Sequence, residues 1–465
     1  MNMRSVDKKM IRKKYDFFRK ITVQKNLFTP APTFSRKIPF QSGEFIRDTW
    51  KAFLSSPELT SNCSLYLHIP FCQNSRCRYC MYYSSILEDH TEIDAYISYL
   101  GAQADYFRSA FTDESFTSLY IGGGTPSILD TRQLSDLLSV TERFKFNSDA
   151  EKTCEQSFNT TSREKLDILA RQGINRLSFG LQSVEEQVLE NVNREPSGEE
   201  KIRELVKHAG ESGVKEINID LMIGLPGETD EGLKRGLLTA IDAGGDCVTV
   251  YVFRHLKHHM EKMRSREVFL TSYNTDHVPH MINVLRKTVE ERGWIDTVMN
   301  DNSEFHFFTS HSHLDAYPLS GYNTRYNPEY QNSTLGLGHS AFSFIMDFFR
   351  YESRDREMTF DPKKKSFVFD RISGEDRKRM FVSEHLNREG KVDMKLFKSS
   401  FGQEFERTFQ RELDELKLLG KGHKEKDFYT FETGDRVEFA ALSKFFWPQA
   451  YFSQDVPFKT GRMSA

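Results

Sequence analysis

The sequence predicts an α/β protein: an open, partial (βα)6 barrel with an N-terminal arm and a small C-terminal winged-helix-like α domain. Three observations predict it. Six short β-branched or aromatic runs recur through the first half of the chain, and amphipathic helical stretches separate them. A helix-rich, mixed-charge tail follows. Strand–helix alternation implies parallel strands joined by right-handed crossovers.

Residues 1–60 are polar and interrupted by Pro30, Pro32, Pro39 and Pro57, which reads as an arm with short helices. The barrel is expected over 61–350, with strands at 64–69, 117–123, 152–158, 176–183, 216–224 and 247–253. Between the fourth and fifth, Ile202, Leu205, Val206 and Ala209 fall at i, i+3, i+4, i+7, one face of a helix. Six strand units make an open barrel, and chemistry belongs at the C-terminal ends of its strands. Residues 351–375 are charged and read as a linker. Residues 376–465 read as three helices and a hairpin strand, KDFYTFET. This winged-helix pattern carries mixed charge, which reads as a lid or packing module and not as a nucleic-acid reader.

The bulk numbers narrow the class. The chain has 465 residues, 28% charged and 38% hydrophobic, a globular balance with enough apolar material for a large core. A net charge of −3 supplies no basic field for nucleic acid. No apolar run reaches the roughly 18 residues of a membrane span. The basic N-terminus has no apolar core of a signal peptide, so cytoplasm is expected. The 39 Phe and 18 Tyr fit a Phe-rich core or an aromatic-lined channel.

Six cysteines are too sparse for a disulfide framework, yet Cys72, Cys77 and Cys80 lie on one short loop directly after the first strand. Thiolates ligate iron–sulfur clusters. Zinc normally takes four ligands, and His68 or His90 would have to complete such a site. Three cysteines on one loop fit an iron–sulfur cluster with one iron left open. Cys63, Cys154 and Cys247 read as small buried residues. Two loose histidine groups, His255, His258, His259 and His306, His311, His313, admit metal binding, substrate contact or plain core and surface roles.

The order of motifs adds a resemblance. LYLHIPFC with CRYC, LYIGGGTPSIL, GINRLSFGLQS, NIDLMIGLPGET and LGLGHSAFSF follow one another from about 64 to 350. Together they resemble the oxygen-independent coproporphyrinogen III oxidase (HemN-like) family of radical S-adenosylmethionine (SAM) enzymes. The resemblance implies a radical SAM barrel, a [4Fe–4S] cluster on Cys72, Cys77 and Cys80, and reductive cleavage of SAM to a 5′-deoxyadenosyl radical. Two departures stand out. The cysteines are spaced x4 then x2 where the family has x3 then x2, and Met81 and Tyr82 stand where coproporphyrinogen-oxidising members carry a further cysteine.

The resemblance also implies a cofactor shell. Gly123, Gly124 and Thr125 would hold the methionine amino end of SAM, and Tyr79 and Met222 would pack on adenine. Glu155 would accept from a ribose hydroxyl or an ammonium and Asp220 from ribose hydroxyls, Gln182 at the end of the fourth strand belongs to the same cofactor shell, and Arg194 would pair with a carboxylate. A second SAM would touch Tyr66, Gly123, Glu155 and Phe342. In an arbitrary protein each of these residues reads as structural. Cys247 would lie near adenine, where the family has a small residue.

The expected function is a radical SAM enzyme using one or two SAM molecules on an organic or tetrapyrrole substrate, in methyl transfer or C–C bond formation. Anaerobic oxidative decarboxylation of coproporphyrinogen III, haem-ring opening and a haem chaperone are the alternatives. Implied partners are an electron donor such as flavodoxin or ferredoxin, with no nucleic acid and no membrane span.

Overall fold

The structure, a computed structural model, describes residues 3–24, 35–56, 62–73, 76–87, 89–253, 277–297, 305–316, 332–345, 349–355, 357–431 and 436–447. Its centre is a mixed sheet of 13 strands. In chain order these are β1 (Ser35–Ser42), β2 (Asn62–Ile69), β3 (Phe116–Gly123), β4 (Phe146–Gln156), β5 (Arg176–Gln182), β6 (Glu216–Ile223) and β7 (Cys247–Val252). There follow β8 (Trp294–Asp296), β9 (Phe305–Ser310), β10 (Asn332–Leu337), β11 (Phe342–Ile345), β12 (Phe349–Ser353) and β13 (Lys365–Ile372). Across the sheet they run β1-β13-β12-β11-β10-β2-β3-β4-β5-β6-β7-β9-β8.

Strands β2 to β7 are the six expected units, each parallel to the next. Helices Thr91–Phe107, Thr131–Thr141, Arg163–Arg171, Glu199–Glu211 and Asp230–Asp242 cross over between them. In the fourth of these helices Ile202, Leu205, Val206 and Ala209 are all buried, as the spacing predicts. Local chemistry marks the helix starts. Asp130 and Gln133 form a reciprocal capping box, and Ser162 and Thr229 cap the next helices with side-chain oxygens.

The two faces of this sheet differ. Leu65, Leu67, Leu119, Ile121, Leu177, Phe179, Ile219 and Leu221 are buried in the main apolar core. Their alternating neighbours, Ser64, Tyr66, His68, Ser118, Tyr120, Ser178, Asn218 and Asp220, share the opposite face, since register partners in a sheet point the same way. That face carries the polar groups of the site.

Three features differ from the sequence expectation. The barrel gains a seventh parallel strand, β10, beside β2. The expected linker 351–375 holds the end of β12 and all of β13, and β13 pairs with β12 on one side and β1 on the other. Its charged residues mislead because Phe367 and Phe369, on alternate positions, are buried in the main core, and Ile372 is buried at the strand's end. The N-terminal arm is also tied down. Trp50 is buried and donates from Nε1 to Tyr351 Oη at 2.7 Å. Helix Met3–Gln24 places Ile11, Tyr15 and Phe18 in the C-terminal core with Phe397, Phe405, Phe409, Phe446 and Trp447. In that C-terminal part, helices Gly374–Glu389, Met394–Phe401 and Gln410–Leu419 surround a small antiparallel sheet, Lys391–Asp393, His423–Glu425 and Phe428–Thr430. No helix among the described residues is long and apolar enough to cross a membrane.

Candidate cofactor site

The site forms where the six parallel strands end. The loop bearing the cysteines leaves β2 and is pinned at both flanks. Gly124 N–H donates to Ile69 O and Thr125 N–H to Phe71 O, each at 2.7 Å, so the glycine turn after β3 lies against the root of the loop. A Cβ on Gly124 would stand 2.5 Å from Phe71 O, which is why this close approach needs glycine. On the far side, Arg78 N–H donates to Val192 O at 2.9 Å, and Asn193 Nδ2 donates to Arg76 O at 3.1 Å.

Two donors approach the sulfurs from these flanks. Thr125 Oγ1 lies 3.7 Å from Cys72 Sγ, and Arg194 Nη1 lies 3.9 Å from Cys77 Sγ. Burial pushes the Cys80 thiol up to about 12, and the neighbouring Cys77 and Cys72 add to the shift. A metal ligated by Cys80 would therefore displace the proton that burial keeps on its sulfur. Zinc closed by His68 does not fit. His68 Nε2 lies 2.9 Å from the carbonyl of Tyr83, which can only accept, so Nε2 carries the proton. Nδ1 then accepts from Tyr66 Oη at 2.8 Å, leaving no ring lone pair for a metal. Burial lowers the His68 pKa to about 4, so the ring is neutral. His90, the other candidate, is exposed at the start of helix Thr91–Phe107.

Arg194 is a half-buried hub. Its Nη2 donates to Gly180 O and its Nη1 to Tyr79 Oη at 3.0 Å. Tyr79 packs on an apolar patch of Val188, Val192, Met222, Leu225 and Phe253, so Tyr79 and Met222 meet as one wall. Gln182 has a positive φ of 69°, and its buried Oε1 has no protein partner. An unsatisfied buried amide oxygen beside Arg194 is the mark of a polar ligand site.

Glu155 and Asp220 line the same face. Glu155 accepts from Tyr120 Oη at 2.7 Å and from Gly123 N–H at 3.1 Å. Burial nevertheless pushes its carboxyl up to about 7, with Tyr120 opposing. Asp220 accepts from Asn218 Nδ2 at 2.7 Å and Ser178 Oγ at 3.1 Å, and burial raises it to about 6. Gly123 has φ +114°, and a Cβ there would meet the His68 ring at 2.6 Å.

Eleven of the residues singled out from the sequence and the three cysteines can thus be placed. Tyr66, Gly123, Gly124, Thr125 and Glu155 join Cys72 on the β2–β4 side. Tyr79, Gln182, Arg194, Asp220 and Met222 gather on the β5–β6 side with Cys77 and Cys80. Phe342 opens β11 beside Gly336, the register partner of Tyr66, and is 42% exposed and stacked on Phe344. Sequence reasoning missed Tyr120, Ser178 and Asn218, which orient the two carboxylates, and gave His68 no role beyond zinc. Their two-residue spacing from Gly122, Gly180, Asp220 and Tyr66 along the strands is the signal that would have found them. One expectation is overturned. Cys247 opens β7 at the N-terminal end of the barrel, away from Met222 and Tyr79.

An open parallel barrel with a three-cysteine loop at its mouth defines a radical SAM protein. Residues 66–237 match the family model of the Radical SAM superfamily. The chain is 28% identical over 371 residues to the oxygen-independent coproporphyrinogen III oxidase of Helicobacter pylori strain J99, covering 76% of this chain and 78% of that one. It is 34% identical over 190 residues to the haem chaperone HemW of Bacillus subtilis, 40% of this chain and 49% of the relative. The solved structure of Escherichia coli coproporphyrinogen III oxidase (HemN) superposes with a TM-score of 0.73 at 23% identity, covering 90% of this chain and 96% of that one. Residues 66–237 therefore carry a Radical SAM domain, of the kind that uses a [4Fe–4S] cluster and SAM, and the chain is similar over most of its length to oxygen-independent coproporphyrinogen III oxidases.

Proposed function

We propose that the chain catalyses radical-initiated oxidation of a tetrapyrrole side chain, of the kind performed by oxygen-independent coproporphyrinogen III oxidases. The observation that carries this is the pairing of the cysteine loop with a complete polar shell at one barrel mouth, in a chain whose relatives over most of its length bear that name. Methyl transfer, the first expectation from the sequence, gives way because the relatives reported above are named as coproporphyrinogen oxidases and a haem chaperone.

In this reading Cys72, Cys77 and Cys80 hold the cluster, and Gly123, Gly124 and Thr125 receive the methionine amino end of SAM. Arg194 receives the carboxylate, while Tyr79 and Met222 wall the adenine. When bound, cluster and SAM supply one-electron cleavage that ends in hydrogen abstraction from an unactivated C–H bond. The residues of the chain do the rest. Glu155 and Asp220, held by Tyr120 and by Asn218 and Ser178, present acceptors to hydroxyl or ammonium groups. The buried wall around Tyr79 excludes water from the reacting atoms. His68 holds Tyr66 and the outgoing end of the cysteine loop in one hydrogen-bonded chain. An external one-electron donor, such as a flavodoxin or ferredoxin, and a location in the cytoplasm belong to the same proposal.

The test is anaerobic reconstitution with iron and sulfide, then SAM, dithionite and coproporphyrinogen III. Formation of 5′-deoxyadenosine together with carbon dioxide supports the proposal. Deoxyadenosine without carbon dioxide rejects coproporphyrinogen as substrate. Accumulation of S-adenosylhomocysteine restores methyl transfer, and a stable stoichiometric haem complex without turnover favours the chaperone reading.

A further inference from the structure

At the opposite end of the barrel from the cysteine loop, three ligand-bearing side chains meet. Glu216 opens β6, Cys247 opens the neighbouring β7, and His313 sits on helix His311–Ala316 just after β9, the strand that pairs with β7. One ligand atom from each lies within 4.8 Å of the other two, and among the described residues no other group of histidine, cysteine and acidic ligands does this. His313 Nε2 is 3.1 Å from Glu216 Oε2, and Cys247 Sγ is 3.6 Å from Glu216 Oε1. Ligands of a tetrahedral zinc ion, with bonds of about 2.0–2.3 Å, stand about 3.3–3.8 Å apart, so the two distances to the Glu216 carboxylate lie near that range and the full group needs closing by up to about an ångström.

We propose that Glu216, Cys247 and His313 form a second metal site, taking one zinc-like divalent cation that clamps the antiparallel extension to the base of the barrel. Nothing in the radical site requires these residues. The surroundings suit a cation. His313 Nδ1 faces Asp246 Oδ1 at 3.9 Å, the arrangement by which a carboxylate orients a ligating imidazole. Asp246 is itself held by Ile217 N–H at 2.8 Å. Arg176 is buried and bonds Glu216 through Oε1, which leaves Oε2 on the His313 side. Arg176 also faces Glu151, so one guanidinium serves two carboxylates, Glu151 and Glu216, while Asp246 adds a third negative charge on the other side of His313. A divalent ion with one thiolate adds a single positive charge to this excess of negative charge. On binding, the Cys247 thiol proton and any Nε2 proton of His313 pass to solvent, and solvent takes the fourth corner. Both strand registers are set on either side of the group: Asn218 lies beside Cys247, and Cys247 beside Thr309. A metal here would therefore join β6, β7 and the β9 extension at one point.

The experiment is metal analysis of the full-length chain, reconstituted with its cluster, incubated with equimolar zinc and passed through a desalting column. The expected result is about one zinc per chain retained beside the iron. Cys247→Ser and His313→Gln should each lower retained zinc at least tenfold while leaving iron content and 5′-deoxyadenosine formation unchanged. A Cys72→Ala/Cys77→Ala/Cys80→Ala variant should keep its zinc and lose its iron. X-ray absorption at the zinc edge should show one sulfur at about 2.3 Å and the remainder nitrogen or oxygen. Zinc absent from the wild-type chain, equal in Cys247→Ser and His313→Gln, or lost with the three loop cysteines would overturn the proposal. His313→Gln, on a peripheral helix, keeps the test decisive if Cys247→Ser does not fold.

Discussion

Replacing Gly124 by alanine asks whether the glycine turn and the cysteine loop are one packed unit. The added methyl would stand 2.5 Å from Phe71 O and 2.8 Å from Ile69 O. Both obstacles are backbone, so no rotamer change relieves them, and the turn must part from the loop. Parting breaks the Gly124 N–H to Ile69 O and Thr125 N–H to Phe71 O bonds and carries the Thr125 hydroxyl away from Cys72 Sγ. Two backbone hydrogen bonds and an overpacked contact together amount to about 3–5 kcal/mol. The assay is urea unfolding of the anaerobically reconstituted protein, with iron content and SAM affinity measured alongside. Gly210→Ala is the control. A methyl there meets nothing within 4 Å and lies in helix Glu199–Glu211, so it should be neutral or stabilise by up to about 1 kcal/mol. Gly124→Ala should unfold at lower urea, hold less iron and bind SAM at least tenfold more weakly. A Gly124→Ala protein indistinguishable from Gly210→Ala in all three readouts would refute the packing argument.

Three further outcomes are expected. Cys77→Ala should abolish the iron–sulfur chromophore, and a variant with wild-type iron content would remove Cys77 from the ligand set. Arg194→Ala should keep the cluster, seen by electron paramagnetic resonance, yet lose about 1.5–3 kcal/mol of SAM binding, roughly tenfold to 150-fold; an unchanged dissociation constant would count against its carboxylate role. Glu155 has its folded pKa raised by burial from 4.5 to about 7, so the stability it contributes is present below about 4.5 and lost as pH rises through 7. Glu155→Gln should therefore gain in unfolding midpoint over wild type as pH climbs from 4.5 to 8, and a pH-independent difference would show that the carboxyl titrates normally.

The catalytic half of the molecule was largely legible in the residues alone. The six parallel strands lie within a few residues of the expected spans, the widest gap being at the start of β4, because each is a short apolar run bounded by turn residues. The three cysteines were equally visible, since ligand chemistry on one loop needs no knowledge of distant contacts. Pairing between remote segments was not visible. Charged residues between 351 and 375 read as a linker, yet β13 buries Phe367 and Phe369 on one face and pairs with β1 from residue 35 onward. A period-two pattern diluted by exposed Lys and Arg yields its strand only when a partner strand supplies the hydrogen bonds.

The same limit explains the site. Residue types and order selected Arg194, Glu155 and Asp220 as cofactor contacts. Only the folded sheet shows that Arg194 reaches Tyr79 and Gly180, that His68 holds Tyr66 and Tyr83, and that Cys247 lies at the far end beside Glu216 and His313. Local pattern and ligand chemistry are properties of neighbours along the chain, so the sequence by itself determined the barrel and its cysteine loop. Which charges and ring nitrogens meet across strands depends on register and burial, which arise only when distant segments share one core.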